Sequence, residues 1–181
     1  METWINRRTL YEGKIVGLEV GDVRLDDGTT AEREMVVHGG GVGVVPVVDG
    51  HVILVRQFRI AVGHEVLEIP AGRLEGDEDP EHRGRRELEE EIGYRARRMV
   101  LVASCYCSPG FTNERDYIYL AFDLTKTEQN LEFDERIELV RVPLDEIEPR
   151  LGRLEFDDAK TIVGLRELQA YLAKGGDDAC R

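Results

Sequence analysis

The stretch GRLEGDEDPEHRGRRELEEEIGY, from Gly72 to Tyr94, departs furthest in this chain from the rules of an ordinary surface helix. It predicts a helix over Pro80–Ile92: Asp79 is an N-cap residue, Pro80 suits the first helical position, and Gly93 suits the left-handed position past the end. From Glu75 to Glu91 there are nine acidic and three basic residues, a local charge of −6. Glu89, Glu90 and Glu91 fall in the last turn, where the helix macrodipole is itself negative. Arg83–Glu87 and Arg86–Glu90 place the base on the N-terminal side, the weaker orientation for such pairs. Only Leu88 and Ile92 are large apolar anchors. At about 100° per residue, Glu87, Glu90 and Glu91 share one arc of about 100°. Such a face is either a solvated charged surface or the lining of a cation site. Hard divalent cations take these donors, and Mg2+ favours a few carboxylates together with water and substrate phosphates.

Working outward, the chain before this helix reads as strands. Ile15 to Leu25 is β-prone and ends at the turn pair Asp27-Gly28, Met35–His38 follows, and Val42–Val48 reads as a buried strand. Asp49-Gly50 predicts a hairpin returning through His51–Phe58. Val66–Ile69 is a short strand stopped by Pro70-Ala71-Gly72. Beyond the helix, strands are expected at Met99–Tyr106, Tyr117–Phe122 and Ile137–Val142. Pro143 opens a short helix, and Asp157 or Asp158 caps a longer one reaching about Ala173. This order predicts an α+β or α/β/α layered domain.

The 181 residues suit one domain, and 41% hydrophobic content suffices for a core. With 24 basic and 37 acidic residues the net charge is −13, which argues against binding nucleic acid. The longest uncharged run, Met99–Asn113, is shorter than the roughly 20 apolar residues of a membrane span and contains Pro109 and Gly110. The first residues lack the apolar segment of a secretory signal, and Cys105, Cys107 and Cys180 define no disulfide framework. A soluble, cytoplasmic protein is expected.

Gly72, Glu78, Arg86, Glu87, Leu88, Glu90, Glu91 and Gly93 match the Nudix box, G-x5-E-x7-R-E-U-x-E-E-x-G-U, at every spacing. Tyr94, in place of the final aliphatic residue, is the one departure. The chain therefore resembles the Nudix hydrolases. Pro109, 15 residues after Tyr94, is similar to a feature of the ADP-ribose pyrophosphatase subgroup. So are Arg56–Arg59, Leu67–Gly72 and Asp158–Thr161, and the likeness runs from about Tyr11 to Leu172.

That resemblance implies an α/β/α sandwich around a mixed sheet, preceded by a small antiparallel β region. Residues 1–40 would form this region and join a homodimer, and 41–181 the hydrolase domain. The reaction implied is metal-dependent hydrolysis of ADP-ribose to AMP and ribose 5-phosphate, using two or more Mg2+ or Mn2+ ions. A different nucleoside diphosphate sugar such as GDP-mannose, or ADP-ribose binding without turnover, are the alternatives.

By the same resemblance, Glu87, Glu90, Glu91 and the Ala71 carbonyl are metal ligands, Arg86 orients the glutamates, and Glu78 braces the loop through backbone. The general base would come from the loop before Ile137, where counting back selects Glu135. Arg59 has the position of a phosphate contact, and its guanidinium fork suits phosphate oxygens. Glu68, Gly110 and Glu114 are candidates for the sugars, with Arg33 and Glu34 at the adenosine end from across a dimer interface. Each of these can equally be a surface ion-pair partner. Gly39–Gly43 is followed by a strand, so neither the P-loop nor the dinucleotide fingerprint is supported.

Overall fold

The computed structural model describes residues 1–131, 133 and 135–176. Of the expected hydrolase domain over 41–181, residues 132, 134 and 177–181 lie outside the described residues. Two compact units are present: Met1–Gly40 with Tyr106–Arg115, and Gly41–Cys105 with the chain from Asp116 onward.

The first unit holds an antiparallel sheet of β1 (Thr3–Trp4), β2 (Arg8–Glu12), β3 (Val16–Arg24) and β4 (Thr30–His38). β3 is central. β2 and β1 pair with its first and second halves, and β4 pairs along its whole length. Gly28 takes a φ of 85° in the β3–β4 turn, and Asp27 accepts from Thr29 N at 2.9 Å.

The second unit is built on a seven-stranded sheet: β5 (Gly41–Val48), β6 (His51–Arg59), β7 (His64–Glu68), β8 (Ala71–Arg73), β9 (Tyr94–Tyr106), β10 (Arg115–Lys126) and β11 (Glu138–Pro143). The order is β11-β6-β5-β10-β9, with β7 added to β6 and β8 to β5. β5 and β10 are parallel, whereas β5–β6, β5–β8, β6–β7 and β6–β11 are antiparallel, so the sheet is mixed.

Helix α1 (Pro80–Ile92) covers one face, and α2 (Leu144–Gly152) and α3 (Ala159–Ala173) the other. β5 is an apolar run because it is buried on both sides. Val42 and Val44 pack with Leu88 and Ile92 of α1, while Val45 and Val47 pack with Leu165 and Leu168 of α3. α1 and α3 each approach through a glycine. A β-carbon on Gly84 would lie 3.0 Å from Val44 Cγ2, and one on Gly164 2.7 Å from Val45 Cγ2. The expected α/β/α sandwich with a preceding antiparallel sheet is the architecture found.

Some local boundaries differ from those expected. Pro70-Ala71-Gly72 reads as a stop after a strand, but Ala71–Arg73 is itself β8, paired antiparallel to Gly41–Gly43. β9 begins at Tyr94, five residues before the predicted start, because its arginines lie over other groups: Arg95 pairs with Glu89 at 2.7 Å and Arg98 stacks on Phe122 at 4.4 Å. β1, at two residues, is too short to carry a period. Among the described residues, no helix is long and apolar enough to cross a membrane.

Candidate active site

The α1 helix starts and ends as its caps dictate. Asp79 accepts from His82 N at 2.8 Å, and Gly93 at φ 67° donates its N–H to the carbonyls of Glu89 and Leu88. Its buried residues are Gly84, Glu87, Leu88, Glu91 and Ile92. Two carboxylates therefore share the face that anchors the helix. Glu87 is 4% exposed and Glu91 3%, with Glu90 half-buried beside them.

Each carboxylate is held from a different side. Glu91 Oε2 accepts from Ala71 N at 3.0 Å, which ties the helix to β8. The Glu87 carboxylate lies against Gly72, where a β-carbon would overlap it. Arg83, one turn earlier, pairs with Glu87, and Arg86 Nη1 lies 3.2 Å from Glu78 with its Nε 3.9 Å from Glu90. Arg86 thus stands between two box glutamates. Glu78, expected to brace the loop through backbone, meets Arg86 with one oxygen, while its Oε2 has no hydrogen-bond partner among the described residues.

Burial, followed by the charge of Glu87, pushes the Glu91 carboxyl up to about 8. The Ala71 N–H and the Arg59 charge oppose that rise, and the Glu135 charge adds to it. Glu135 and Arg59 therefore both act electrostatically on Glu91. Like charges buried together on an all-oxygen donor set, around a glycine that leaves room for one of them, fit a hard divalent cation. Glu87, Glu90 and Glu91 would be its side-chain ligands, and the Ala71 carbonyl, expected as a further one, belongs to the residue whose N–H holds Glu91.

The loop that carries Glu135 is fastened to the same helix. Thr127 N donates to Gly93 O at 2.8 Å, Asn130 N to Glu90 O at 3.0 Å and Gln129 Nε2 to Glu91 O at 2.6 Å. A β-carbon on Gly93 would stand 3.0 Å from Gln129 N, so the box glycine also admits this segment. Gln129 and Asn130 carry no signal in the sequence, because helix-end carbonyls are satisfied here by a segment more than 30 residues away.

Arg59 and Glu68 form a forked pair, Nε–Oε1 at 2.5 Å and Nη2–Oε2 at 2.9 Å. Glu68 is 2% exposed and also accepts from Lys160 at 3.1 Å. Both of its oxygens are thus engaged within the protein. Burial alone would lower the Lys160 ammonium, but Asp158 and Glu68 outweigh it and hold it above the ordinary lysine value.

The remaining candidates belong to the first unit. Arg33, Glu34 and Gly110 line a cleft of about 410 Å3 together with Trp4, Phe111 and Asn113. Arg33 is forked onto Glu2 at 2.9 and 2.5 Å. Glu114 lies 3.5 Å from His38 Nδ1 and is not among the lining residues.

The NUDIX domain family model matches residues 37–163 of the chain. An ADP-ribose pyrophosphatase of Bacillus subtilis (strain 168) is 39% identical over 171 residues, covering 93% of this chain and 92% of that protein. A methanol dehydrogenase activator of Bacillus methanolicus is 37% identical with the same coverage. A crystal structure described as an ADP compounds hydrolase superposes with a TM-score of 0.86 at 23% identity, covering 97% of this chain and 96% of that one, a likeness of fold.

Proposed function

Because this chain belongs to the Nudix family, we propose that it hydrolyses the diphosphate of ADP-ribose to AMP and ribose 5-phosphate, with Mg2+ or Mn2+ as the metal. The observation that carries this reading is the carboxylate cluster. Glu87, paired with Arg83, and Glu91, whose carboxyl burial pushes up to about 8, stand buried together on the anchored face of α1, an all-oxygen donor set that suits a hard divalent cation. The bacillary pyrophosphatase relative supports the substrate class.

Two or more bound divalent ions would neutralise the diphosphate and acidify the attacking water. The chain's own residues supply the rest. Glu87, Glu90 and Glu91 hold the ions, and the Arg86 guanidinium keeps Glu78 and Glu90 in place. Arg59 donates to non-bridging phosphate oxygens: Glu68 takes one donor each from Nε and Nη2, which leaves the Nη1 donors for a ligand. Water forms a new P–O bond, the anhydride P–O bond breaks, and Glu135 takes the water proton. A tethered base loop suits that task, since Glu135 must meet the cluster in a constant geometry.

In the same reading Arg33 and Glu34, which line the first unit's cleft, meet the nucleoside end from across a dimer interface, and Glu68, Gly110 and Glu114 act near the sugars, Glu68 through the residues it holds. A cytoplasmic homodimer completes it. The wholly exposed strand β2, with Leu10 and Tyr11 open to solvent, offers apolar area to a second copy.

The test is product analysis after incubating the protein with ADP-ribose, Mg2+ and isotopically labelled water. AMP and ribose 5-phosphate, with label on one of them, are expected. Preference for GDP-mannose would replace the substrate, and binding without turnover in the presence of metal would make the protein a sensor.

A further inference from the structure

Lys160 is an odd residue for its place. It is the second residue of α3, where the helix dipole disfavours a cation, and its side chain is only 22% exposed. Two carboxylates hold it there: Asp158 Oδ1 at 2.7 Å and Glu68 Oε2 at 3.1 Å. Asp158 is itself locked as the N-cap of α3, accepting from Thr161 N at 2.9 Å and Thr161 Oγ1 at 2.6 Å. The same Oγ1 accepts from Ile69 N at 2.8 Å, one residue past Glu68. Lys160 is thus bracketed between the end of β7 and the cap of α3.

The charges of this group cancel, with Arg59 and Lys160 against Glu68 and Asp158. Glu68 is the hinge, because a buried carboxylate divides its attraction between the cations it meets. With Lys160 in place, Oε2 is shared and the Arg59 fork is held in one geometry. Without it, the group carries an unpaired negative charge that draws Arg59 inward and weakens its field toward an anion.

We propose that Lys160 is a positioning residue that sets, through Glu68, where the Arg59 guanidinium meets the substrate diphosphate. This rests on the reading of Arg59 as a phosphate contact. Lys160 would act on substrate capture and not on the chemical step, because neither it nor Glu68 has a place in the proton transfer.

The test compares kcat and KM for ADP-ribose with Mg2+ in the wild type, Lys160→Met, Lys160→Arg, Arg59→Ala and the double variant Arg59→Ala/Lys160→Met. Lys160→Met is expected to raise KM about tenfold and to change kcat by less than about threefold. Lys160→Arg, which restores the charge, is expected to recover most of that loss. In the Arg59→Ala background Lys160→Met should add less than about twofold, since the two act as one unit. Thermal midpoints show whether each variant is folded, and Lys160→Gln replaces Lys160→Met if that protein does not fold. Equal effects of the Lys160 change with and without Arg59, or a wild-type KM in folded Lys160→Met, overturn the proposal while Arg59 keeps its role. A wild-type KM in Arg59→Ala overturns both together. A wild type that turns over no nucleoside diphosphate sugar removes the pyrophosphatase reading itself.

Discussion

The carboxylate of Glu87 rests against the Cα of Gly72, in the space that any side chain at that position would fill. The two residues are 15 apart in sequence and belong to different elements, β8 and α1. A glycine at the start of the box is therefore the room in which the carboxylate of one proposed metal ligand sits. Gly72→Ala is expected to push Glu87 aside and to lower turnover by orders of magnitude. Overpacking of this kind costs about 1–3 kcal/mol of stability. Urea unfolding and Mg2+-dependent kinetics of the same preparation measure the two effects.

Glu91 makes the metal-free protein sensitive to base. Its carboxyl is pushed from the ordinary 4.5 up to about 8 in the fold. The unfolded chain loses this proton first, so the contribution to stability is complete below about pH 4.5 and disappears as pH rises through about 8. A divalent ion relieves the repulsion that accompanies ionisation. The rise in thermal midpoint on adding Mg2+ should therefore be larger at pH 8 than at pH 6, with proton release in calorimetry at neutral pH. A midpoint shift independent of pH would contradict this account.

Glu91→Gln separates stability from function. The amide oxygen can still accept from Ala71 N, while the repulsion with Glu87 vanishes. The variant should unfold at a higher temperature than metal-free wild type above pH 8, yet lose turnover by orders of magnitude. Thermal scans across pH and an activity assay check both halves.

Glu135→Gln tests the base. The tether at Gln129 and Asn130 does not involve the Glu135 carboxylate, so the loop should keep its attachment to α1. A fall in kcat of about 100-fold or more, with KM within about threefold, is expected for a group acting only in proton transfer. Wild-type kcat would remove Glu135 from the mechanism.

Local physics makes much of this protein legible in its amino-acid sequence. Asp79, Pro80 and Gly93 bound α1 at both ends because caps are set by the residues at the termini themselves. The Asp49-Gly50 hairpin and the two-faced apolar run of β5 are equally local. The clustering of Glu87, Glu90 and Glu91 follows from helical pitch alone, and their concentration of like charge marks the place where folding rules yield to chemistry. Pattern narrows the architecture to α+β or α/β/α layers, since helix and strand periods each announce a face to be covered, and the resemblance carried by the box selects the sandwich.

Only the tertiary structure decided which charges are buried and what holds them. Period cannot show that Glu87 lies against Gly72, or that Gln129 reaches the Glu91 carbonyl across 38 residues. Nor could it show that Glu68 turns inward to join Arg59 with Lys160, 92 residues downstream of Glu68. Hydrogen bonds and ion pairs take whatever partner the packed backbone presents, so their identity depends on distances in space and not on separation along the chain.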